Sequence, residues 1–258
     1  MNRRIGLLPL VLLWALPASS AVKTEEVEYL HGKTALQGFF AYDDATASRR
    51  PAVMVVHEWW GHGPYVRRRV QELARLGYLA FANDMYGKGV YAKTHEEAGK
   101  LAGAVRGERG LMRERALAGV EILRKHRLAD PERLAAIGYC FGGTAVLELA
   151  RAGADLKGVA SFHGALDTPH PERTKDVKAK ILVLHGADDA RVGLAIPGFQ
   201  EEMRRAKADW QLISYGRAVH SFTVPEAGSD PSKGAAYNEA ADKRSWQALK
   251  AFLNEVFR

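Results

Sequence analysis

The apolar positions of this chain fall into two alternating periodicities. Glu26 to Leu30 and Leu36 to Tyr42 alternate loosely, as in an antiparallel hairpin. Ala52 to His57 is a continuous run rich in valine, the pattern of a strand covered on both faces. Val66, Val70, Leu73 and Leu76 then recur at helical spacing within Tyr65 to Leu76, and Gly77 is a natural stop. A second short apolar run, Tyr78 to Ala82, leads into Asn83-Asp84. Leu111 to Leu128 predicts a long helix ended by Asp130-Pro131. Beyond it the spacing predicts strand Leu134 to Tyr139, helix Gly143 to Arg151, and strands Gly158 to Phe162 and Ile181 to His185. Helix Pro197 to Lys207, strand Gln211 to Tyr215 and a last helix Tyr237 to Phe257 complete the series.

Strands alternating with amphipathic helices predict an α/β fold, a mostly parallel central sheet with helices on both faces. No internal repeat or dividing linker is visible, and the loosest stretches are Asp43 to Arg50 and Pro225 to Gly234. Residues 22–258 are therefore expected to form a single domain. In such a sheet, chemistry belongs at the carboxyl ends of the strands. Those ends carry His57-Glu58, Asn83-Asp84, Tyr139-Cys140, Phe162-His163, His185-Gly186 and Tyr215-Gly216.

Residues 1–21 follow a different pattern. Arg3 and Arg4 precede an almost wholly apolar stretch from Ile5 to Leu16, and small residues follow through Ala21. This is the layout of a secretory signal peptide cut after Ala21, so the mature protein is expected to be exported, to the periplasm or beyond the cell. The apolar stretch is shorter than the ~20 residues a spanning helix needs, so no membrane association is expected after cleavage.

Composition narrows the classes. At 258 residues, 47% hydrophobic and 26% charged, the chain is a globular protein, not a disordered one. A single cysteine excludes an internal disulfide framework and cysteine-rich metal sites. The formal charge of +7 is spread among acidic residues on amphipathic helices, which favours solvated faces over a nucleic-acid surface.

That one cysteine sits in Gly138-Tyr139-Cys140-Phe141-Gly142-Gly143, after a strand and opening a helix. The glycines two before and two after it match the G-x-S-x-G strand–turn–helix geometry, with Cys in place of Ser. A thiol at a helix N-terminus favours the thiolate, and the N–H of Phe141 points where an oxyanion would form. A thiol nucleophile needs a base and an orienting acid, in that fold in the chain order nucleophile, acid, base. Gly186-Ala187-Asp188-Asp189-Ala190-Arg191-Val192 supplies the acid; its G-x-x-D-x-x-V spacing selects Asp189, with Asp188 the rival. His220, on a loop before the last helix, supplies the base. The remaining strand-end histidines, His57, His62, His163 and His185, lack metalloprotease spacing, and neither a metal nor a cofactor is expected.

With these features in place, the mature chain resembles the dienelactone hydrolase family, and the resemblance implies the α/β-hydrolase fold. His57-Glu58-Trp59-Trp60-Gly61 is similar to the family's E-x-x-G loop, which implies that Glu58 contacts the resting thiol and helps it to ionise. It also implies that the N–H of Trp59 joins that of Phe141 in the oxyanion hole. Asp84-Met85-Tyr86-Gly87-Lys88 is similar to the family's D-x-Y-x-R stretch, which implies a substrate-binding role for Lys88 toward a carboxylate. Tyr86, Trp59 and Trp60 would line an aromatic pocket. The family's second carboxylate-binding arginine is replaced here by Val224. The expectation is a cysteine-dependent hydrolase of a small ester or lactone, acting as a monomer or small homo-oligomer. The rivals are a general carboxylesterase or thioesterase and a catalytically silent binding protein.

Overall fold

A computed structural model describes residues 22–174 and 177–258; the leader expected over residues 1–21 lies outside them. Strands β1 (Val22–His31) and β2 (Thr34–Asp43) form the antiparallel hairpin, and β2 runs antiparallel to β4 (Leu79–Asn83). From there β3 (Arg50–Val56), β5 (Ala129–Tyr139), β6 (Gly158–Phe162), β7 (Lys180–Gly186) and β8 (Trp210–Tyr215) are all parallel. The described residues make one eight-stranded sheet in the order β1-β2-β4-β3-β5-β6-β7-β8.

Each parallel strand sends alternate side chains to opposite faces. On β3, Ala52, Met54 and Val56 enter one core while Val53 and Val55 enter the other. The first core is covered by α2 (His95–Gly107), α3 (Arg109–Lys125), α4 (Phe141–Arg151) and α6 (Ile196–Ala206). The second is covered by α1 (Pro64–Arg75) and α7 (Glu239–Val256). A short turn of helix, α5 (Ala190–Gly193), follows β7. Both faces being apolar explains why the strands read as continuous hydrophobic runs.

The expected end of the long helix is corrected by three residues. Helix α3 stops at Lys125, where His126 turns extended, and Asp130-Pro131 lies inside β5 instead of beyond a helix. Ala129 pairs with Arg50 and Leu134 with Ala52, so residues 130–133 bulge opposite Pro51. A proline without an N–H is tolerated in such an interruption of the ladder.

The far end of α4 is anchored by buried charge. Arg151 grips both carboxylate oxygens of Glu202 at 2.8 Å and one of Glu148 at 3.2 Å, and donates to the carbonyl of Leu166. Glu148 also pairs with Arg113 of α3. All three members of the central trio are buried. Arg151→Met leaves the buried Glu202 carboxylate without its counter-charge and with only the Thr174 hydroxyl as a donor among the described residues, and urea unfolding is expected to show a loss of about 3–5 kcal/mol. A second substitution, Glu202→Met, should recover much of that loss.

Candidate active site

Strand β5 ends at Tyr139 and helix α4 begins at Phe141, so Cys140 alone makes the turn, at φ +53°. A side chain in this left-handed region is strained, and surrounding structure must enforce it. Here that structure is backbone packed on backbone. A Cβ on Gly138 would collide with the carbonyl of Gly142, and one on Gly142 with the carbonyls of Val56 and His57. A Cβ on Gly143 would meet Ser161 and Gly164. The glycine pattern is thus a statement about distance between chain segments, and it leaves the Cys140 thiol partly exposed at the head of a helix.

The thiol faces His220. Its Sγ lies 3.1 Å from His220 Nε2, and His220 Nδ1 lies 2.8 Å from Asp189 Oδ2. Asp189 is buried and Asp188 exposed, so of the two rivals the structure brings Asp189 to the histidine. The Asp189 main chain is fixed by its N–H bond to Gly186 O, and its carboxylate also accepts the N–H of Val192. The His220 loop is held from behind, with Ala236 N–H donating to His220 O and Asn238 N–H to Phe222 O. Burial works against the charged forms of both partners. For His220 the charge of Cys140 and the hydrogen bond to Asp189 outweigh burial, and its pKa is pushed up to about 10. For Asp189 burial is likewise outweighed, by the hydrogen bond and charge of His220, which hold it below the ordinary carboxylate value.

Glu58 follows β3, the strand beside β5, and is buried. Its Oε1 has no hydrogen-bond partner among the described residues. Burial pushes its pKa up to about 7, with the charge of His220 opposing the rise. Trp59 is half-buried, and its carbonyl accepts the Tyr86 hydroxyl at 3.0 Å. Tyr86 packs edge-on to His57 and against Phe141; burial and then the charge of Cys140 raise its pKa, so the phenol remains neutral. Trp59, Trp60 and His95 meet edge-to-face at 4.9–5.6 Å between ring centroids, which ties the start of α2 to the loop after β3. Asp84 builds the turn that presents Tyr86, accepting the N–H groups of Tyr86, Gly87 and Gln37.

Lys88 is not brought to this cluster. Its ammonium pairs with Glu28 at 2.5 Å on β1, four strands from β5, and the pair is largely exposed. Val224 is buried.

Sequence reasoning passed over His163, which lies just past β6 at φ +40° and is almost fully buried. Its Nδ1 accepts the Cys140 N–H at 3.2 Å, and its Nε2 lies 2.8 Å from Thr223 Oγ1. The Thr223 hydroxyl meets Tyr65 at 2.6 Å, and Arg69 bonds the Thr223 carbonyl, Tyr65, Glu72 and Asp242. The available signal was its place at a strand end, one of several histidines so placed.

A mostly parallel sheet of this order, with a sharp strand-to-helix corner after its central strand, defines the α/β-hydrolase fold. Residues 36–257 match the model of the dienelactone hydrolase family, and the chain belongs to that family. Among solved structures, m3DLH is 38% identical, covers 92% of this chain and all of its own, and superposes with a TM-score of 0.88. The dienelactone hydrolase-like promiscuous phosphotriesterase P91, from metagenomic libraries, is 36% identical over the same coverage, with a TM-score of 0.86. A Saccharolobus solfataricus protein named "Putative carboxymethylenebutenolidase" is 22% identical over 80% of this chain and 89% of its own length. The protein is accordingly a hydrolase of the lactone and ester class.

The raised pKa of Glu58 has a stability consequence whose sign is fixed by linkage. Below its ordinary value of 4.5 the carboxyl is neutral both folded and unfolded, and it costs nothing. As pH rises toward about 7 the unfolded chain ionises it while the folded state resists, so stability is lost. Glu58→Gln is expected to match the parent in stability at pH 4 and exceed it at pH 8.5, by on the order of 3 kcal/mol. Urea titrations at the two pH values measure the difference.

Proposed function

We propose that this protein is a cysteine-dependent hydrolase of ester or lactone substrates, with Cys140 as nucleophile, His220 as base and Asp189 as the acid that orients it. The observation that carries the reading is the continuous chain from Cys140 Sγ through His220 to Asp189, at 3.1 and 2.8 Å, at the carboxyl end of the sheet.

In this reading the Cys140 proton passes to His220 Nε2, and the imidazolium is stabilised by Asp189 at Nδ1. The thiolate attacks the substrate carbonyl. The developing oxyanion sits against the N–H of Phe141, which at the first turn of α4 has no intrahelical acceptor, and against the N–H of Trp59. Such donors are worth ~2.7–4 kcal/mol each in comparable sites. His220 returns the proton to the departing alkoxide, leaving a thioester on Cys140. A water molecule, deprotonated by His220, attacks that thioester; the acid leaves and the thiol is restored. Glu58, buried beside His220, influences the charge of this pair, and the Glu58 carbonyl, in the same peptide unit as the Trp59 N–H, accepts a hydrogen bond from His57 Nδ1 and so helps to fix that donor's orientation. The trait of export also belongs to this reading, resting on residues 1–21.

The test is an ester and lactone panel run on the parent and on Cys140→Ala. Cys140→Ala is expected to lose at least ~10³-fold in kcat/KM, and the parent to accumulate a hydroxylamine-labile acyl adduct by intact mass. Unchanged hydrolysis by Cys140→Ala would show the chemistry to lie elsewhere, and an inert parent would favour a binding protein. Because Lys88 is engaged by Glu28, Lys88→Ala is expected to change kcat/KM less than about twofold on neutral and carboxylate-bearing substrates alike, the range of a surface pair. A selective loss on the acidic lactones would restore Lys88 to the pocket.

A further inference from the structure

We propose that His163 is a positioning residue that sets Cys140 and His220 relative to each other, by bonding the backbone of one and the loop of the other. The inference rests on the reading of Cys140 and His220 as nucleophile and base. No sequence pattern marks His163 for the task; the geometry does.

A backbone N–H can only donate, so His163 Nδ1, 3.2 Å from Cys140 N, is an acceptor and carries no proton. The ring proton therefore sits on Nε2 and is donated to Thr223 Oγ1 at 2.8 Å. Thr223 is three residues past His220 on the same loop, and its carbonyl is pinned by Arg69 at 3.0 Å. The His163 ring also stands edge-on to His220 and to Phe222, each at 5.2 Å between centroids. One imidazole thus touches the corner that carries the thiol and three residues of the loop that carries its base.

The tautomer is locked. A proton on Nδ1 would set one donor against another, and burial, the charge of His220 and the charge of Arg69 all hold His163 neutral, with its pKa well below the ordinary value. The Cys140 N–H is shared between Phe162 O at 3.0 Å and His163 Nδ1 at 3.2 Å, so that donor is turned away from the substrate. The oxyanion is left to Phe141 and Trp59.

Three variants test this: His163→Leu, which removes both bonds; His163→Asn, whose Oδ1 can replace Nδ1 and whose backbone tolerates positive φ; and Thr223→Val, which removes the acceptor of Nε2. Each is assayed for kcat and KM on p-nitrophenyl acetate, for the pH profile of Cys140 alkylation by iodoacetamide, and for thermal unfolding. His163→Leu is expected to lower kcat about 10–100-fold, as loss of an orienting neighbour does, to leave KM within about twofold, and to move the alkylation profile to higher pH. His163→Asn should regain most of both, and Thr223→Val should move the profile in the same direction by less. A Leu variant with a lower Tm but unchanged kcat and alkylation profile would make His163 a packing residue and overturn the proposal. Where the Leu variant fails to fold, an unmoved profile in Thr223→Val overturns it equally. Cys140→Ala separates the two readings: if it still hydrolyses the ester, the proposed function fails, whatever His163 does.

Discussion

The close approach of the first turn of α4 to the ends of β3 and β6 is the constraint on which this site depends. Backbone meets backbone there, and only glycine at 138, 142 and 143 leaves room. The chain must therefore reverse at one residue, Cys140, in a conformation that costs energy. The cost is offset by what surrounds it: buried strands on both sides, and a helix whose far end is clamped by Arg151. A looser corner would let the thiol fall back into the core. This one sets the sulfur toward His220 and leaves the amides of the first turn free to receive negative charge.

Around that corner the electrostatics are organised by burial and by one strong pair. His220 is drawn toward its charged form by Cys140 and Asp189, although desolvation opposes it. Glu58 goes the other way, because it is more deeply buried and lacks a hydrogen-bonding partner for one oxygen. His57 and His163 are neutral for the same reason, each fully enclosed. His57 Nε2 even accepts the N–H of Met85, as His163 Nδ1 accepts that of Cys140. The cluster thus divides into a pair, His220 and Asp189, drawn toward its charged forms, and a surround of Glu58, His57 and His163 drawn toward its neutral ones.

Legibility in the sequence follows the same physics. Strands covered on both faces announce themselves as apolar runs, and β6 was bounded to the residue. The helix before β5 was overrun by three residues because Leu128 continues its apolar spacing, although the chain has by then turned to pair Ala129 with Arg50. Cys140, Asp189 and His220 were legible because glycine spacing, strand ends and chain order are all local features. Lys88 was misplaced because motif similarity fixes a position along the backbone, not the direction of a flexible side chain, and Glu28 on another strand was the nearer partner. His163 stands out in the sequence only as one of several strand-end histidines, for a related reason. Its significance lies in contacts to Cys140 and Thr223, 23 and 60 residues away.

The chain from Cys140 through His220 to Asp189 and the segment after Asp84 are built on different kinds of structure. Cys140 and Asp189 closely follow β5 and β7, while His220 sits on the loop after β8, which the N–H groups of Ala236 and Asn238 hold in place. The segment from Tyr86 to His95 is instead held by a few discrete ties: Asp84 at its start, the Trp60 carbonyl accepting Ala92 N–H, and three aromatic rings meeting at His95. Such a segment can change its outward side chains without disturbing the corner at Cys140. Lys88, on this segment, already pairs outward with Glu28 of β1, with no tie to the corner among the described residues.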